Sequence, residues 1–257
     1  MEMVLLKVNN LVKPLITIVI ILLLWFCVSY FEMFNQYLLP SPIKVMETFL
    51  EMCKSGEMIQ NILMSLKRVM IGFIIAFLSA FAVALIFYRY PRIYPYFSFI
   101  IEFMRNVPPL ALIPLLILWF GIGETSKIVI IILASFFPIF LNIEKGFASC
   151  DKQLIEVGKT LAMNENTIFK KIVLPYATRD ILVGMRIGLG YSWRAIIGAE
   201  MIAAASGLGY MILFAQQMSR SDKVIIGIIV IGIIGYLCDL LFKQIIKKTL
   251  KEQLTNE

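Results

Sequence analysis

The chain has 257 residues, 60% of them hydrophobic and only 16% charged, with a mean hydropathy of +0.86. A soluble globule of that composition would expose large apolar patches, and a disordered chain would need far more charge, so both classes are excluded and an integral membrane protein remains. The sequence has no histidine, which removes the commonest general base and metal ligand; the net charge of +7 suits loops beside anionic lipid rather than nucleic acid.

In chain order, six stretches are apolar enough to be predicted as spanning helices: 15–31, 69–88, 97–120, 128–143, 181–205 and 224–242. No small-residue cleavage site follows the first, since the chain runs on as Glu32-Met33-Phe34-Asn35, so 1–38 is expected to be an N-terminal anchor rather than a leader. Residues 39–66 are expected to form an outer loop. It opens on Leu39-Pro40-Ser41-Pro42 and carries one or two surface helices between Met46 and Leu66. A membrane core over 67–245 and a tail over 246–257 complete the division.

Within the core, Arg89–Pro95 reads as an inner turn. The third stretch holds Pro108, Pro109 and Pro114, which kink a helix and leave carbonyls to be satisfied elsewhere. Glu102 and Arg105, three apart, are expected to pair with each other. Gly121-Ile122-Gly123-Glu124 is a tight outer turn without the spacing of a phosphate loop. Cys27, Cys53, Cys150 and Cys238 are isolated and make no metal or disulfide pattern.

The fifth stretch carries Arg186, Arg194 and Glu200. Charges inside a membrane are costly and mark function by default. Arg194 and Glu200 are six residues apart, about 240° past a full helical turn, so they share no face. Each must meet a partner on another helix or line water. An arginine on a water path favours an anion, while Glu200 fits a gate or a fold element equally well. Arg186 is expected to snorkel to the inner surface and Asp239 to reach water there. Gly184-x-x-x-Gly188, with Gly190 and Gly198, permits close helix approach and is expected to pack against a second copy.

Orientation follows from basic residues. With both termini inside, the inner segments collect Lys7, Lys13, Arg89, Arg92, the seven cations from Lys145 to Arg186, and Lys243, Lys247, Lys248 and Lys251, roughly twice the number on the outer side.

The most informative inner segment is 150–178. It reads as two short helices. The first, about 153–162, places Leu154, Val157 and Leu161 at helical spacing. The second, capped by Asn164 and carrying Ile168, Phe169, Ile172 and Val173, is expected to stop at Pro175. With apolar faces and basic backs (Lys159, Lys170, Lys171), the hairpin either lies on lipid or docks into a groove of a soluble partner.

Glu156-Val157-Gly158-Lys159-Thr160-Leu161-Ala162, followed by Ile172-Val173-Leu174-Pro175, resembles the "EAA" loop of ABC importer permeases. The family pattern is Glu-Ala-Ala, three residues, Gly, nine residues, Ile-x-Leu-Pro. Glu156, Ile172, Leu174 and Pro175 match it; Val157 and Gly158 replace the alanines and Ala162 replaces the glycine. Glycine enters left-handed backbone that alanine avoids, so Asn164 is expected to give the turn its flexibility. The chain is also similar to the nitrate/sulfonate/taurine branch. The matching stretches are Leu39-Pro40-Ser41-Pro42, Ser65-Leu66 with Arg68-Val69, Arg105 with Pro108-Pro109, Pro114-Leu115, Leu118 to Gly123, Phe136-Phe137-Pro138, Ala199-Glu200-Met201 and Ser206 to Tyr210.

The resemblance implies an all-α integral membrane protein of about six transmembrane helices with a cytoplasmic two-helix coupling loop, in the bacterial cytoplasmic (inner) membrane, multi-pass, with both termini cytoplasmic. It implies a non-catalytic permease subunit that works as a pair with a second copy of itself. Two cytoplasmic ABC ATPase subunits would carry ATP and Mg, and an extracytoplasmic substrate-binding protein would deliver cargo. No cofactor is expected on this chain, and no nucleic-acid partner; lipid surrounds it. Glu156, Gly158, Leu161, Ala162, Met163, Asn164, Ile172, Leu174 and Pro175 would form the coupling joint, with Leu161 and Met163 as groove contacts. Arg194, Glu200, Pro108 and Pro109 are candidates for the substrate pathway. The expected cargo is a small anion such as a sulfonate, taurine or nitrate; a vitamin precursor of the thiamine-pyrimidine or riboflavin type is the alternative. An ion-coupled carrier usually shows more spans and an inverted repeat, a membrane enzyme would need a catalytic cluster this sequence lacks, and a scaffold without a pathway stays open.

Overall fold

A computed structural model describes the backbone over residues 2–31 and 33–255, and side chains at 13, 16–31 and 33–249. The side chains of Lys7 and Lys251, counted above for orientation, lie outside the described residues. Among the described residues the secondary structure is helical throughout. The helices are α1 (Glu2–Tyr30), α2 (Pro42–Lys54), α3 (Glu57–Arg89), α4 (Tyr94–Asn106), α5 (Ile113–Phe120), α6 (Glu124–Ala148), α7 (Lys152–Thr160), α8 (Glu165–Ile168), α9 (Leu174–Ala203), α10 (Leu208–Gln217) and α11 (Ser221–Thr255).

Three helices are long and apolar enough to cross a membrane, within Glu57–Arg89, Glu124–Ala148 and Ser221–Thr249; counting each of two bent pairs as one span gives five. The described apolar part of the first expected span, Ile16–Tyr30, is shorter, and its aliphatic side chains are exposed along its length. The third expected span is not one kinked helix. α4 and the stretch Pro109–Phe120 meet at 89°. Pro108 is extended, Pro109 opens a 3-10 turn, and Pro114 sits in the first turn of α5, where its missing N–H costs nothing. With 13 and 8 residues, neither α4 nor α5 reaches across about 30 Å of hydrocarbon alone.

The chain divides into two compact units. The first comprises Met1–Asn61 and Met211–Val230. In it the Trp25 indole donates to the Pro40 carbonyl (3.1 Å), and Thr48 on α2 donates to Asp222 (2.8 Å), which also holds Arg220 (2.7 Å). Ser41 caps α2 by accepting from Lys44 N–H (3.2 Å), which fixes the start of the surface helix four residues before the expected Met46.

The second unit comprises Ile62–Tyr210 and Ile231–Glu257. Its largest helix pair is α6 against α9. Gly184 and Gly188 make that approach possible. A Cβ on Gly184 would lie 2.6 Å from Asn142 Cβ, and one on Gly188 would lie 2.5 Å from Ile139 Cγ1. The small-residue motif expected to face a second copy is therefore consumed inside the chain, because α6 already fills its groove. Gly188→Val is expected to cost about 1–3 kcal/mol by overpacking. A lowered thermal midpoint of the detergent-solubilised protein would show it.

Other sequence expectations change with packing. Arg186, expected to reach the inner surface, is half-exposed and pairs with Asp239 on α11 (Nε–Oδ1 2.5 Å, Nη2–Oδ2 2.9 Å). Glu102 and Arg105 are both exposed and form no ion pair within 4.0 Å of each other. At one end of the unit, Tyr88 of α3, Phe147 of α6 and Phe169 pack with ring centroids 5.3–5.5 Å apart, anchoring segment 150–178 to two long helices.

Candidate coupling loop and buried charge cluster

Segment 150–178 is a helical hairpin. Asp151 caps α7 by accepting from Gln153 N–H (2.8 Å), and Asn164 caps α8 by accepting from Thr167 N–H (2.8 Å). Between them α7 ends in two nested hydrogen bonds: Ala162 N–H donates to the Lys159 carbonyl (2.9 Å) and Met163 N–H to the Gly158 carbonyl (3.1 Å). This is a Schellman turn, which needs a left-handed residue at its pivot. The pivot is Ala162, at φ +54°; Asn164 is extended, with φ −70° and ψ 158°. The flexibility assigned to Asn164 is thus not what closes the turn. The alanine itself takes the left-handed conformation, at a cost of roughly 1–2 kcal/mol. Ala162→Gly is expected to recover about 1 kcal/mol, read as a midpoint rise of about 2 °C.

Gly158 has a packing reason. A Cβ there would stand 2.9 Å from Ile172 Cδ1 and 3.1 Å from Ile168 Cγ1, so the bare glycine lets the two arms close on each other. Arg89 at the end of α3 pairs with Glu165 of α8. Outward, Leu154, Val157 and Leu161 are 46%, 55% and 64% exposed and form a stripe along α7, with Glu156 exposed beside it. Burial and the neighbouring Asp151 push the thiol of Cys150, at the foot of the hairpin, upward and keep it protonated.

The second arm does not stop at Pro175. α8, a π-helical turn over Phe169–Val173 and α9 form one helical run from Glu165 to Ala203, with Pro175 in the first turn of α9. Proline cannot donate to the carbonyl four residues back, and the widened turn lies where that bond is lost. The run measures roughly 55–60 Å at 1.5 Å per residue. Ile172 and Leu174 belong to it, so the second arm of the hairpin and the fifth span form one continuous lever-shaped run.

Glu200 stands near the far end of that lever and is completely buried. It accepts from Arg68 Nη1 (2.7 Å), from Ser65 Oγ (2.8 Å to Oε2) and from Gly209 N–H (3.0 Å). Arg68, with 3% of its side chain exposed, also donates to both oxygens of Glu124 (2.7 and 2.8 Å) and to the carbonyl of Ser206 (2.7 Å). Lys127 completes the set on Glu124 (2.7 Å). Two cations meet two carboxylates, so the cluster is neutral, and every N–H donor of Arg68 is used; Glu124, with 56% of its side chain exposed, is the edge of the cluster. Gly207, at φ +109°, passes so close that a Cβ would lie 2.3 Å from the Glu200 carboxyl. A Cβ on Gly209 would lie 2.3 Å from the Ile197 carbonyl oxygen. Ser206-Gly207-Leu208-Gly209, just past the end of α9, is therefore the lid of this cluster.

Of the candidate pathway residues, Glu200 sits in this closed cluster rather than on an open wall. Arg194 points elsewhere: it is exposed and lies over the Tyr191 ring (5.4 Å). Pro109 lines an open cavity between α4, α6 and α9, and Pro108 precedes it at the break. Sequence reasoning gives Arg68, Glu124 and Lys127 no role in a site; the matched stretches Ser65-Leu66, Arg68-Val69 and Ala199-Glu200-Met201 are the signal that could join Arg68 to Glu200.

Residues 68–251 match the family of inner membrane components of binding-protein-dependent transport systems. The chain belongs to that family. The putative aliphatic sulfonates transport permease SsuC of Bacillus subtilis is 34% identical over 239 residues, covering 93% of this chain and 87% of that protein. The taurine transport system permease TauC of Escherichia coli is 35% identical over 229 residues, covering 87% and 83%. The nitrate import permease NrtB of a Synechocystis species is 30% identical over 238 residues, covering 89% and 85%. A structure of the MetNI methionine ABC transporter in an inward-facing conformation shares the fold, with a TM-score of 0.63 at 18% identity over 72% of this chain and 92% of that one. The permease is thus an inner membrane component of a binding-protein-dependent transport system, with all of its described secondary structure helical.

Proposed function

We propose that this permease carries a small anion of the sulfonate, taurine or nitrate type across the cytoplasmic membrane, as one of two copies bordering a shared path. A binding protein delivers the cargo from outside, and two ATPase subunits holding ATP and Mg drive the cycle from the cytoplasm. Both termini lie on the ATPase side, and this chain holds no cofactor. The anion class rests on what the named relatives transport.

The observation that carries the coupling role is the exposed stripe of Leu154, Val157 and Leu161 on a hairpin continuous with α9. Such a stripe, with Glu156 and Met163 at its edge, suits a groove on a soluble partner. Ile172, Leu174 and Pro175 carry its motion into the span, Gly158 keeps the arms closed, and Ala162 and Asn164 fix the turn. Movement of the ATPases would tilt the lever and open Arg194, Pro108 and Pro109 to one side of the membrane or the other. The test is growth of the host on butanesulfonate or taurine as sole sulfur source, and on nitrate as sole nitrogen source, with and without the gene. Loss of growth on any of these upon deletion supports the reading; unimpaired growth on all three contradicts it.

A further inference from the structure

Six arginines lie on the α-helices of the second unit. Three are paired: Arg68 with Glu124 and Glu200, Arg89 with Glu165, and Arg186 with Asp239. Arg105, Arg179 and Arg194 have no carboxylate within 4.0 Å among the described residues, and all three are exposed; Arg179 stands in the second turn of α9, beside the hairpin. An unpaired guanidinium at membrane depth does not face acyl chains; it faces water or an anion.

Arg194 lines a cavity with Arg186 and Asp239 in its wall, whereas Arg105 lines a separate cavity of about 420 Å³. Its walls are Arg105 and Asn106 at the end of α4, Asn142 and Phe137 on α6, Tyr191 on α9, and Pro109 at the break. The Tyr191 ring that forms part of the wall is the ring over which Arg194 lies. No Asp or Glu belongs to the wall, and Glu102, one turn from Arg105, is exposed outside it. The break at Pro108-Pro109 adds an independent argument. Non-helical backbone at membrane depth is tolerated only where protein buries it or where it lines an aqueous cavity, and Pro109 lines this one.

We infer that Arg105, in a cavity walled by Asn106, Asn142 and Tyr191 and by no carboxylate, is an anion-selecting residue on the wall of the translocation path. The inference deepens the proposed function and rests on its anion reading. The guanidinium group holds the charged head of the cargo by charge-assisted hydrogen bonds, Asn106 and Asn142 supply polar wall, and Phe137 faces an alkyl tail. The binding protein sets which anion arrives. Arg105 sets that an anion, rather than a neutral solute, passes at speed.

The test is uptake of radiolabelled butanesulfonate and nitrate by host cells carrying the whole transporter, at saturating cargo. Arg105→Gln is expected to lower the maximal uptake rate by about tenfold or more, and Arg105→Lys to stay within about threefold. Membrane level and co-purification of the ATPase should be unchanged. Lysine rescue separates a charge requirement from a packing role. Wild-type uptake by Arg105→Gln would overturn the inference while leaving the anion reading intact. If the wild-type transporter imports neither anion, the anion reading falls and the inference with it.

Discussion

Arg68→Met is expected to destabilise the permease by about 3–5 kcal/mol, the largest effect of any single substitution considered. The cost does not come from losing a favourable contact in water. It comes from leaving the fully buried Glu200 carboxylate without its cation, beside a glycine lid that admits no rearrangement. Glu200→Gln in the Arg68→Met background removes the stranded charge and should recover a large part of the loss, because the amide can still accept from Ser65 and Gly209. The double-mutant cycle should therefore show a coupling of about 2 kcal/mol or more between the two positions. Thermal unfolding of the four proteins in the same detergent measures it. Additive single effects would mean that the two side chains do not form the pair.

Glu156→Lys should abolish transport and leave the fold alone. Glu156 is exposed on α7, so the substitution disturbs no core packing and the thermal midpoint should move by less than about 0.5 kcal/mol in stability terms. At a docking face, however, reversing one charge replaces attraction with repulsion, which costs several kcal/mol of binding and uncouples the ATPase. Uptake of butanesulfonate should fall to the background of a deletion strain while the chain remains in the membrane at normal level. Normal uptake would place the coupling contact elsewhere.

The membrane class and the hairpin were legible because they depend on local signals. Apolar run length marks spanning helices, and the three-and-four spacing of Leu154, Val157 and Leu161 marks an amphipathic arm. Asn164 as a cap was equally local, and it holds. What escaped the sequence depended on tertiary partners or on backbone that breaks a propensity rule. Nothing in Gly184-x-x-x-Gly188 says whether α6 or a second copy fills its groove. Arg186 and Asp239 are 53 positions apart and read as separate surface charges until α9 and α11 pack. Pro175 looks like a stop because proline usually ends a helix; a π turn before it lets the run continue. Ala162 at positive φ is the rarest case, a residue held in disfavoured backbone by the two hydrogen bonds around it. Arg68 and Glu200 are the most instructive pair. Each lay inside a stretch matched to the family, yet only the fold brings residues 65, 68, 124, 200 and 206 to one point.

The most direct measurement is affinity purification of the full chain from its own host membrane in mild detergent, followed by identification of what accompanies it. The expected companion is a soluble ATPase with a phosphate-binding loop, in amounts equal to the permease and lost in the Glu156→Lys variant. A preparation free of any ATPase, even after crosslinking from a reactive group placed at Met163, would contradict the coupling account and leave the α7 stripe to lie on lipid.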